Sequence, residues 1–324
     1  GPPSRGGRLH QPWSRDRIRE ATVGGGPDKD GIPSVDDPSF ASAEEIALAD
    51  GEVVFGYAGE TDVRAYTQRV LVWHEIANDT LDGTPVAVTY CPLTGTAMGF
   101  ERGDTTFGVS GKLVNNNLVM YDRATEAWWP QILATSIPGP WNETPTIASL
   151  QEFRLIWTTW DRWREQNPET SVLSTDTGHA KNYARDPYGT YNPKGGYYTS
   201  DSTLFPVLND DDRYQIKRVF IGARTPAGAA AFLKDSIRSK KVMSGAIGDR
   251  AVLAVYDDRY DTAFVYENPE DRTFDYDPEA PEGSIVATDG ASYAADDLPL
   301  TSIVCFDAMW FAWAGYYPET TVYE

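Results

Sequence analysis

The sequence contains few sulfur and imidazole side chains: its 324 residues include two Cys, four Met and three His. Two cysteines allow at most one disulfide, Cys91 to Cys305, and their spacing excludes a Cys-x-x-Cys redox pair. No apolar run approaches the eighteen or so residues that a membrane helix requires, and the N-terminal residues lack the apolar core of a signal peptide. We therefore expect a soluble, processed chain with no membrane-spanning segment.

Basic residues are also scarce, with 28 Lys and Arg against 48 Asp and Glu, and most of them are Arg. The formal net charge of −20 repels nucleic acid and anionic lipid, so both are excluded as partners. An acidic, Lys-poor surface is typical of a protein from a high-salt organism, because strong screening makes many like charges tolerable. Acidity that serves cation binding is the alternative.

The pattern of apolar residues predicts an α+β fold that is mainly β. Residues 1–30, rich in Gly, Pro and Arg, are predicted to form an extended N-terminal arm. Residues 31–324 are predicted to form a single β-rich domain with a large, mostly antiparallel sheet or a barrel-like core and a few short helices. The sequence shows no internal repeat and no clear linker, and this favours one domain.

Individual segments give more specific predictions. Residues 63–75 have the β-branched and aromatic character of a strand. Residues 157–168 have tryptophans at helical spacing, and we expect these to lie in the core. A longer helix is predicted to begin at Thr225, with Pro226 at its first position. Residues 178–213 form the longest irregular stretch, which is where functional loops are common.

The scarce reactive side chains are concentrated between Val70 and Gln131, which contain His74, Cys91, Met98 and Met120. Cys91 ends a predicted strand just before a Pro-Leu-Thr-Gly turn, whose backbone N–H groups could stabilise a thiolate. A buried, inert cysteine is the alternative.

His74 and Glu75 begin the string HEIAND, which resembles the start of a zinc-protease motif but has Asn78 where the second His is required. Zinc hydrolysis of that type is excluded, and His74 is either structural or a base or metal ligand beside Cys91. Cys91 and His74, with the thioether of Met98 or Met120, would be a soft ligand set suited to copper.

Three neutral donors complete the set of candidate site residues: Trp129, Gln131 and Asn116. Indole and carboxamide N–H groups can stabilise a thiolate or a leaving hydroxide without titrating themselves. Placed around Cys91, they would resemble the cysteine, Gln, Trp and Asn group of thiol peroxidases.

Several strings carry a family resemblance that covers nearly all the chain beyond residue 30: YCPLTG, SGKLVNNNLVMYDR, WWPQ, DPYGTY and WFAWAGYYPET. The chain resembles the domain of unknown function 3179 family. The resemblance implies an exported or lipid-anchored protein. Some members carry selenocysteine at the position matching Cys91, which implies redox chemistry or soft-metal binding there. The Trp128-Trp129 pair departs from the expected single Trp and leaves open which indole faces the site.

The leading hypothesis is an extracellular or cell-surface thiol oxidoreductase or peroxidase that acts on a small molecule or a thiol. Cys91 is the nucleophile, His74 or Glu75 accepts its proton, and Trp129, Gln131 and Asn116 polarise the sulfur or the leaving oxygen. One alternative is a copper-binding or other soft-metal-binding protein with Cys91, His74 and Met120 as ligands. The other is a non-catalytic cell-surface protein. The oligomeric state stays open.

Overall fold

The structure is a computed structural model that describes residues 1–324. It is 39% strand and 12% helix, with five short helices and several antiparallel sheets, none of which closes into a barrel. The predicted α+β class, mainly β, is therefore confirmed, and the β residues form several small open sheets. No helix in the structure is long and apolar enough to cross a membrane.

The helices are short, and each spans seven residues: α1 (Arg15–Ala21), α2 (Gln68–His74), α3 (Trp160–Gln166), α4 (Lys234–Lys240) and α5 (Trp310–Tyr316). The strands, in chain order, are β1 (Val23–Gly24), β2 (Phe40–Ser42), β3 (Val53–Ala58), β4 (Val63–Thr67), β5 (Ile76–Leu81), β6 (Thr84–Cys91), β7 (Thr96–Glu101), β8 (Phe107–Val114), β9 (Asn117–Asp122), β10 (Trp128–Pro130), β11 (Glu152–Phe153), β12 (Ile156–Thr159), β13 (Ser171–Leu173), β14 (Gly189–Tyr191), β15 (Lys194–Gly196), β16 (Val219–Thr225), β17 (Gly228–Leu233), β18 (Val242–Ile247), β19 (Arg250–Asp257), β20 (Thr262–Glu267), β21 (Phe274–Tyr276), β22 (Ile285–Ala287), β23 (Ser292–Tyr293), β24 (Ser302–Ile303), β25 (Cys305–Met309) and β26 (Thr321–Tyr323).

Two halves of the chain repeat one arrangement of elements. The first half has the sheets β12-β3-β4-β13-β2 and β11-β7-β6-β5, and the second has β25-β16-β17-β26 and β18-β19-β20-β24. In both halves the last strand in the chain pairs parallel to a neighbouring strand, β13 with β4 and β26 with β17. Residues 50–101 correspond without a gap to residues 216–267, and residues 152–173 correspond to residues 302–323. The expectation of no internal repeat is wrong.

The repeat extends to individual side chains around one tryptophan in each half. The indole N–H of Trp163 donates to Thr170 Oγ1, and that of Trp313 donates to Thr320 Oγ1, both at 3.0 Å. A Cβ atom on Gly56 would collide with the ring of Trp163, and one on Gly222 would collide with the ring of Trp313. Each ring therefore packs directly on the backbone of a sheet strand, Trp163 on β3 and Trp313 on β16. The prediction that the α3 tryptophans lie in the core holds for Trp160 and Trp163, since both are buried.

The first half also carries an inserted sheet, β1-β8-β9-β10, whose central hairpin turns at Asn115 and Asn116. Both asparagines have positive φ, 54° and 60°, as a two-residue hairpin turn requires, and Asn tolerates this conformation better than most residues. The sheet packs on α5 in the largest hydrophobic cluster, which includes Cys91.

The N-terminal residues predicted to form an extended arm contain α1 and β1. Ser14 caps α1 by accepting a hydrogen bond from the backbone N–H of Arg17, and Ile18 is fully buried. Val23 in β1 pairs with Leu113 in β8. The segment packs against the core because this apolar helix face has a partner that short-range sequence patterns do not reveal.

Two element predictions are wrong. Residues 63–75 form β4 and then α2, because the chain leaves the sheet after Thr67 and the apolar face of α2 is buried. The helix predicted from Thr225 begins only at Lys234, and Thr225 to Gly228 turn the chain between β16 and β17. Residues 229–231 are alanines with high helix propensity, but β17 is paired on both sides in its sheet, and this tertiary context outweighs propensity.

Candidate functional site

Cys91 is the last residue of β6, and the turn Pro92 to Gly95 leads from it into β7. The side chain is fully buried, and neither Cys91 nor Cys305 forms a disulfide. The Sγ atom donates to the backbone carbonyl of Asn116 at 3.6 Å, across the gap between the β6–β7 turn and the β8–β9 hairpin. The thiol therefore lies where these two hairpins meet.

Glu75 lies beside this thiol. Its backbone carbonyl accepts a hydrogen bond of 2.7 Å from the N–H of Tyr90, the residue before Cys91. The Glu75 side chain is buried, and no protein group hydrogen-bonds to its carboxyl oxygens, so burial alone raises its pKa from 4.5 to about 8. The carboxyl is thus a mostly protonated acid at neutral pH that makes no hydrogen bond to the protein.

The Cys91 pKa is raised to about 11, first by burial and second by the nearby charge of Glu75. Hydrogen-bond donors of Thr94 and Leu118 lower the pKa but are outweighed. Of the turn residues predicted to stabilise a thiolate through their backbone N–H groups, Thr94 does donate toward the sulfur. The resting sulfur at neutral pH is a thiol, and ionisation of Glu75 makes its loss of a proton still less favourable.

An apolar cavity of about 170 Å³ adjoins Glu75, with Leu93, Leu118, Tyr188 and Phe205 in its wall. Cys91 is not itself in the wall, although Leu93 belongs to its turn. The Tyr188 hydroxyl makes no hydrogen bond, and its pKa is raised by burial and then by the charges of Glu75 and Cys91. Glu75 and Tyr188 therefore line one small cavity, and the thiol of Cys91 lies close to both of them behind its wall. Tyr188 lies in the string DPYGTY, but no local sequence pattern marks it as a site residue.

Residues 29–320 match the family described as "Protein of unknown function (DUF3179)". The chain belongs to this family. No curated protein and no solved structure matches it. The predicted family is therefore confirmed, and the match covers both halves of the repeated arrangement described above.

His74 in this DUF3179 chain lies away from the sulfur. Its Nδ1 contacts the carbonyl of Pro33 at 2.7 Å, and its Nε2 contacts the hydroxyl of Tyr183 at 2.6 Å. The ring also lies 5.2 Å from that of His179. Burial is the main cause that lowers the His74 pKa, so the ring is neutral at pH 7. Both ring nitrogens are engaged, and neither contacts Cys91.

The metal alternative gains no support from this arrangement. No three His, Cys, Asp or Glu side chains are grouped so that they could hold a metal ion. Met120 is buried in β9 opposite Trp129, and no hydrogen bond or ion pair joins His74 to the Cys91 turn.

The three predicted neutral donors serve other partners. Trp129 donates its indole N–H to Asp122 Oδ2 at 2.9 Å. The Gln131 amide donates to Thr89 Oγ1 at 2.9 Å and accepts from Thr96 Oγ1 at 2.7 Å, both buried. The Trp129 contact lies within the inserted sheet, and the Gln131 contacts join the residue after β10 to β6 and β7 of the first half. Trp129 and Gln131 therefore have structural partners and make no hydrogen bond to the sulfur.

Asn116 reaches the sulfur only through its backbone carbonyl. Its side chain donates to the carbonyl of Phe205 and accepts from the Phe205 N–H, both at 2.9 Å. It therefore fastens the irregular stretch of residues 178–213 over the cavity. Residues 188–205 of this stretch form the cover stretch. Tyr188, at one end of the cover stretch, lies near the thiol, and Phe205, at the other end, is hydrogen-bonded to Asn116.

The second half of the DUF3179 chain lacks this chemistry at the equivalent positions. Asp257 occupies the place of Cys91, and both of its carboxylate oxygens bind Arg259, at 3.0 and 2.8 Å. Lys241 occupies the place of Glu75 and shares its positive φ, 70° against 62°. The left-handed conformation at Glu75 is thus a property of the repeated fold. The Glu75 carboxyl and the Cys91 thiol are not required by the repeated fold, because the equivalent segment of the second half folds without them.

Proposed function

We propose that the protein is a thiol-dependent redox protein in which Cys91 is the reactive sulfur and Glu75 is its proton acceptor. The observation that carries the proposal is the Glu75 carboxyl, which has no hydrogen-bond partner in the protein, lines a mostly apolar cavity and lies beside the buried thiol of Cys91. Titratable side chains whose pKa values are strongly shifted are concentrated at functional sites, and Glu75 and Cys91 form such a pair.

The proposed oxidant is a small uncharged hydroperoxide, because the cavity is small and apolar. The Glu75 carboxylate takes the proton of the Cys91 thiol, and the sulfur attacks one peroxide oxygen as the O–O bond breaks. The leaving oxygen takes that proton and departs as water or an alcohol, and the hydroxyl of Tyr188, in the cavity wall, donates a hydrogen bond to it. The sulfur is oxidised to a sulfenic acid while the peroxide is reduced.

An external thiol completes the cycle. It condenses with the Cys91 sulfenic acid, releasing water and forming a mixed disulfide, and a second thiol then displaces Cys91 as a free thiol. Two external thiols are thereby oxidised to a disulfide for each hydroperoxide reduced. No second cysteine of the chain is required, which agrees with the distance in the fold between Cys91, in the largest core cluster, and Cys305, in a separate one.

Treating the reduced protein with an organic hydroperoxide should form one sulfenic acid per chain, at Cys91. Mass spectrometry after trapping with dimedone measures the position and the extent. The Cys305→Ser variant should react as the wild type does, and the Cys91→Ser variant should not react. The two cysteines are matched controls because both are fully buried and both have a raised pKa.

The pH dependence tests the role of Glu75. The oxidation rate should rise as the pH passes through about 8, where Glu75 becomes ionised, and the Glu75→Gln variant should lose this rise. If Cys91 stays unmodified by hydroperoxide and by iodoacetamide in the folded protein, the chain is a non-catalytic protein whose motif residues stabilise a β core.

The Glu75→Gln variant should also be more stable than the wild type at pH 8. The folded-state pKa of about 8 lies above the unfolded value of 4.5, so the folded protein binds the extra proton between these values. Stability therefore falls as the pH rises across that window, and the wild type should lose on the order of 2–4 kcal/mol relative to Glu75→Gln. Urea unfolding at pH 4.5 and pH 8 measures the difference. The exposed Glu270→Gln variant is the control and should show no such pH dependence.

A further inference from the structure

A second cavity, of about 400 Å³, lies between the two halves of the chain and away from Glu75. Gly95 and Trp157 of the first half form part of its wall, and the second half and the cover stretch supply the rest. Its basic side chains outnumber the two acidic ones, Asp235 and Asp307, although the whole chain has a formal charge of −20. The basic side chains are Lys194, Lys217, Arg218, Lys234 and Arg238.

The first half has a cavity of about 260 Å³ at the equivalent place, which makes an internal comparison possible. The backbone equivalence is direct, since Glu52 O accepts from Trp160 N and Arg218 O accepts from Trp310 N, both at 2.8 Å. In the first-half cavity, Gly51, Glu52 and Gln68 stand where the second half has three basic residues. Those three are Lys217, Arg218 and Lys234. The cations are therefore not required by the repeated fold.

Unpaired polar groups in this cavity indicate a ligand. Lys234 Nζ binds Asp307 Oδ2 at 2.5 Å, while Asp307 Oδ1 is buried and has no hydrogen-bond partner. Lys217 Nζ donates only to neutral oxygens, including the Tyr197 carbonyl at 2.7 Å, and forms no ion pair. Lys194 is exposed at the mouth of the cavity, and its ammonium makes no ion pair and no hydrogen bond to the protein. Arg218 pairs with Asp235 at 3.2 Å, and Arg238 pairs with Asp235 and with Asp261. The positive charge that no carboxylate neutralises is therefore that of Lys194 and Lys217, and it lies beside one free buried acceptor, Asp307 Oδ1.

Aromatic rings form another part of the wall. Tyr191 and Tyr198 are stacked with their centroids 4.0 Å apart, and Trp157 meets Tyr191 edge-on at 5.5 Å. Flat aromatic surfaces beside polar groups suit a ligand with an apolar ring face and hydroxyl groups at its edge.

We propose that this cavity binds a small polyhydroxylated anion of monosaccharide size, a sugar acid or a sugar phosphate. The acid group lies among Lys194, Lys217 and Arg218, and a hydroxyl group donates to Asp307 Oδ1. The volume is within the range of about 300–1,000 Å³ typical of small-molecule sites. Binding at this cavity does not involve Cys91, so the experiments below test this site independently of the redox proposal.

Isothermal titration calorimetry on the full chain tests this site with four probes: glucuronate, glucose 6-phosphate, glucose and inorganic phosphate. Either sugar anion, or both, should bind, at least about tenfold more tightly than glucose and than inorganic phosphate, because charge-assisted hydrogen bonds and the hydroxyl contact both contribute. The anion that binds identifies whether a carboxylate or a phosphate is preferred.

Two variants locate the binding. Lys194→Gln removes the unpaired cation, and Arg218→Glu introduces the residue of the first half; each should weaken binding about tenfold or more. Arg69→Gln, in the first-half cavity, is the matched control and should bind as the wild type does. Thermal unfolding checks that each variant is folded. The proposal is overturned if no sugar anion binds, if glucose or inorganic phosphate binds equally well, or if both variants bind normally.

Discussion

Replacing Trp163 with alanine is expected to lower the free energy of unfolding by about 3–5 kcal/mol, and replacing Trp313 with alanine should cost a similar amount. Each indole is fully buried against a strand glycine and donates to a threonine hydroxyl. Truncation leaves a large cavity and an unpaired threonine in the same surroundings in both halves. Urea unfolding measured by circular dichroism gives both values.

The partly exposed Trp73 provides the control, because Trp73→Ala removes an equally large ring that makes one hydrogen bond to the protein, to the Arg185 carbonyl. Its cost should be clearly smaller than that of either buried tryptophan. Equal costs at Trp163 and Trp313 would indicate that both copies of the repeat are needed for one cooperative fold. A cost below that of Trp73→Ala at either position would contradict the packing described here.

The fold class followed from the sequence because strand alternation and β-branched residues are local signals. The repeat could not be predicted from the sequence, because its two copies share identical residues mainly around the tryptophans, in Trp160 to Thr170 and Trp310 to Thr320. The strands of the two copies keep their buried and exposed pattern but few identities. A sheet needs only the apolar pattern and the pairing register to be maintained, so sequence identity was lost while the topology was kept.

The candidate site was predictable only in part. Cys91 and Glu75 lie close together because β5 and β6 are neighbours, and a hairpin is a short-range feature. His74 was expected at the sulfur, but it ends α2 while Glu75 leaves the helix, so the two side chains point to different surroundings. Tyr188 reaches the site from a cover stretch far along the chain. Such a contact depends on tertiary packing that no spacing in the sequence encodes.

The repeat separates what the fold needs from what each half adds. Both halves have the tryptophan packing and a positive φ at the residue that follows the helix, Glu75 after α2 and Lys241 after α4. The first half alone has the Glu75 and Cys91 pair, and the second alone has the cationic wall at Lys217 and Lys234. The two proposed sites thus use different residues on one repeated scaffold, and substitutions at either site should leave the scaffold intact.

Glu152 and Arg224 form one buried ion pair that joins the two halves. The guanidinium is fully buried and binds both carboxylate oxygens, at 2.5 and 3.2 Å. The equivalent positions, Ser302 and Ala58, cannot form such a pair, so it occurs only once. Glu152→Ala leaves an uncompensated buried charge, and we expect it to lower the free energy of unfolding by about 3–5 kcal/mol.

Urea unfolding measures this cost, and two further variants interpret it. Glu143→Ala removes the partner of Arg19 in an exposed pair and should change stability by less than about 1 kcal/mol. The double variant Glu152→Leu with Arg224→Met replaces the pair with apolar side chains and should recover most of the loss, because no charge stays buried. If the double variant is as unstable as Glu152→Ala, the ion pair itself, with the bond from Arg224 to the Ile132 carbonyl, holds the two halves together. Recovery would instead show that the halves associate through apolar packing and that the pair only neutralises its own buried charge.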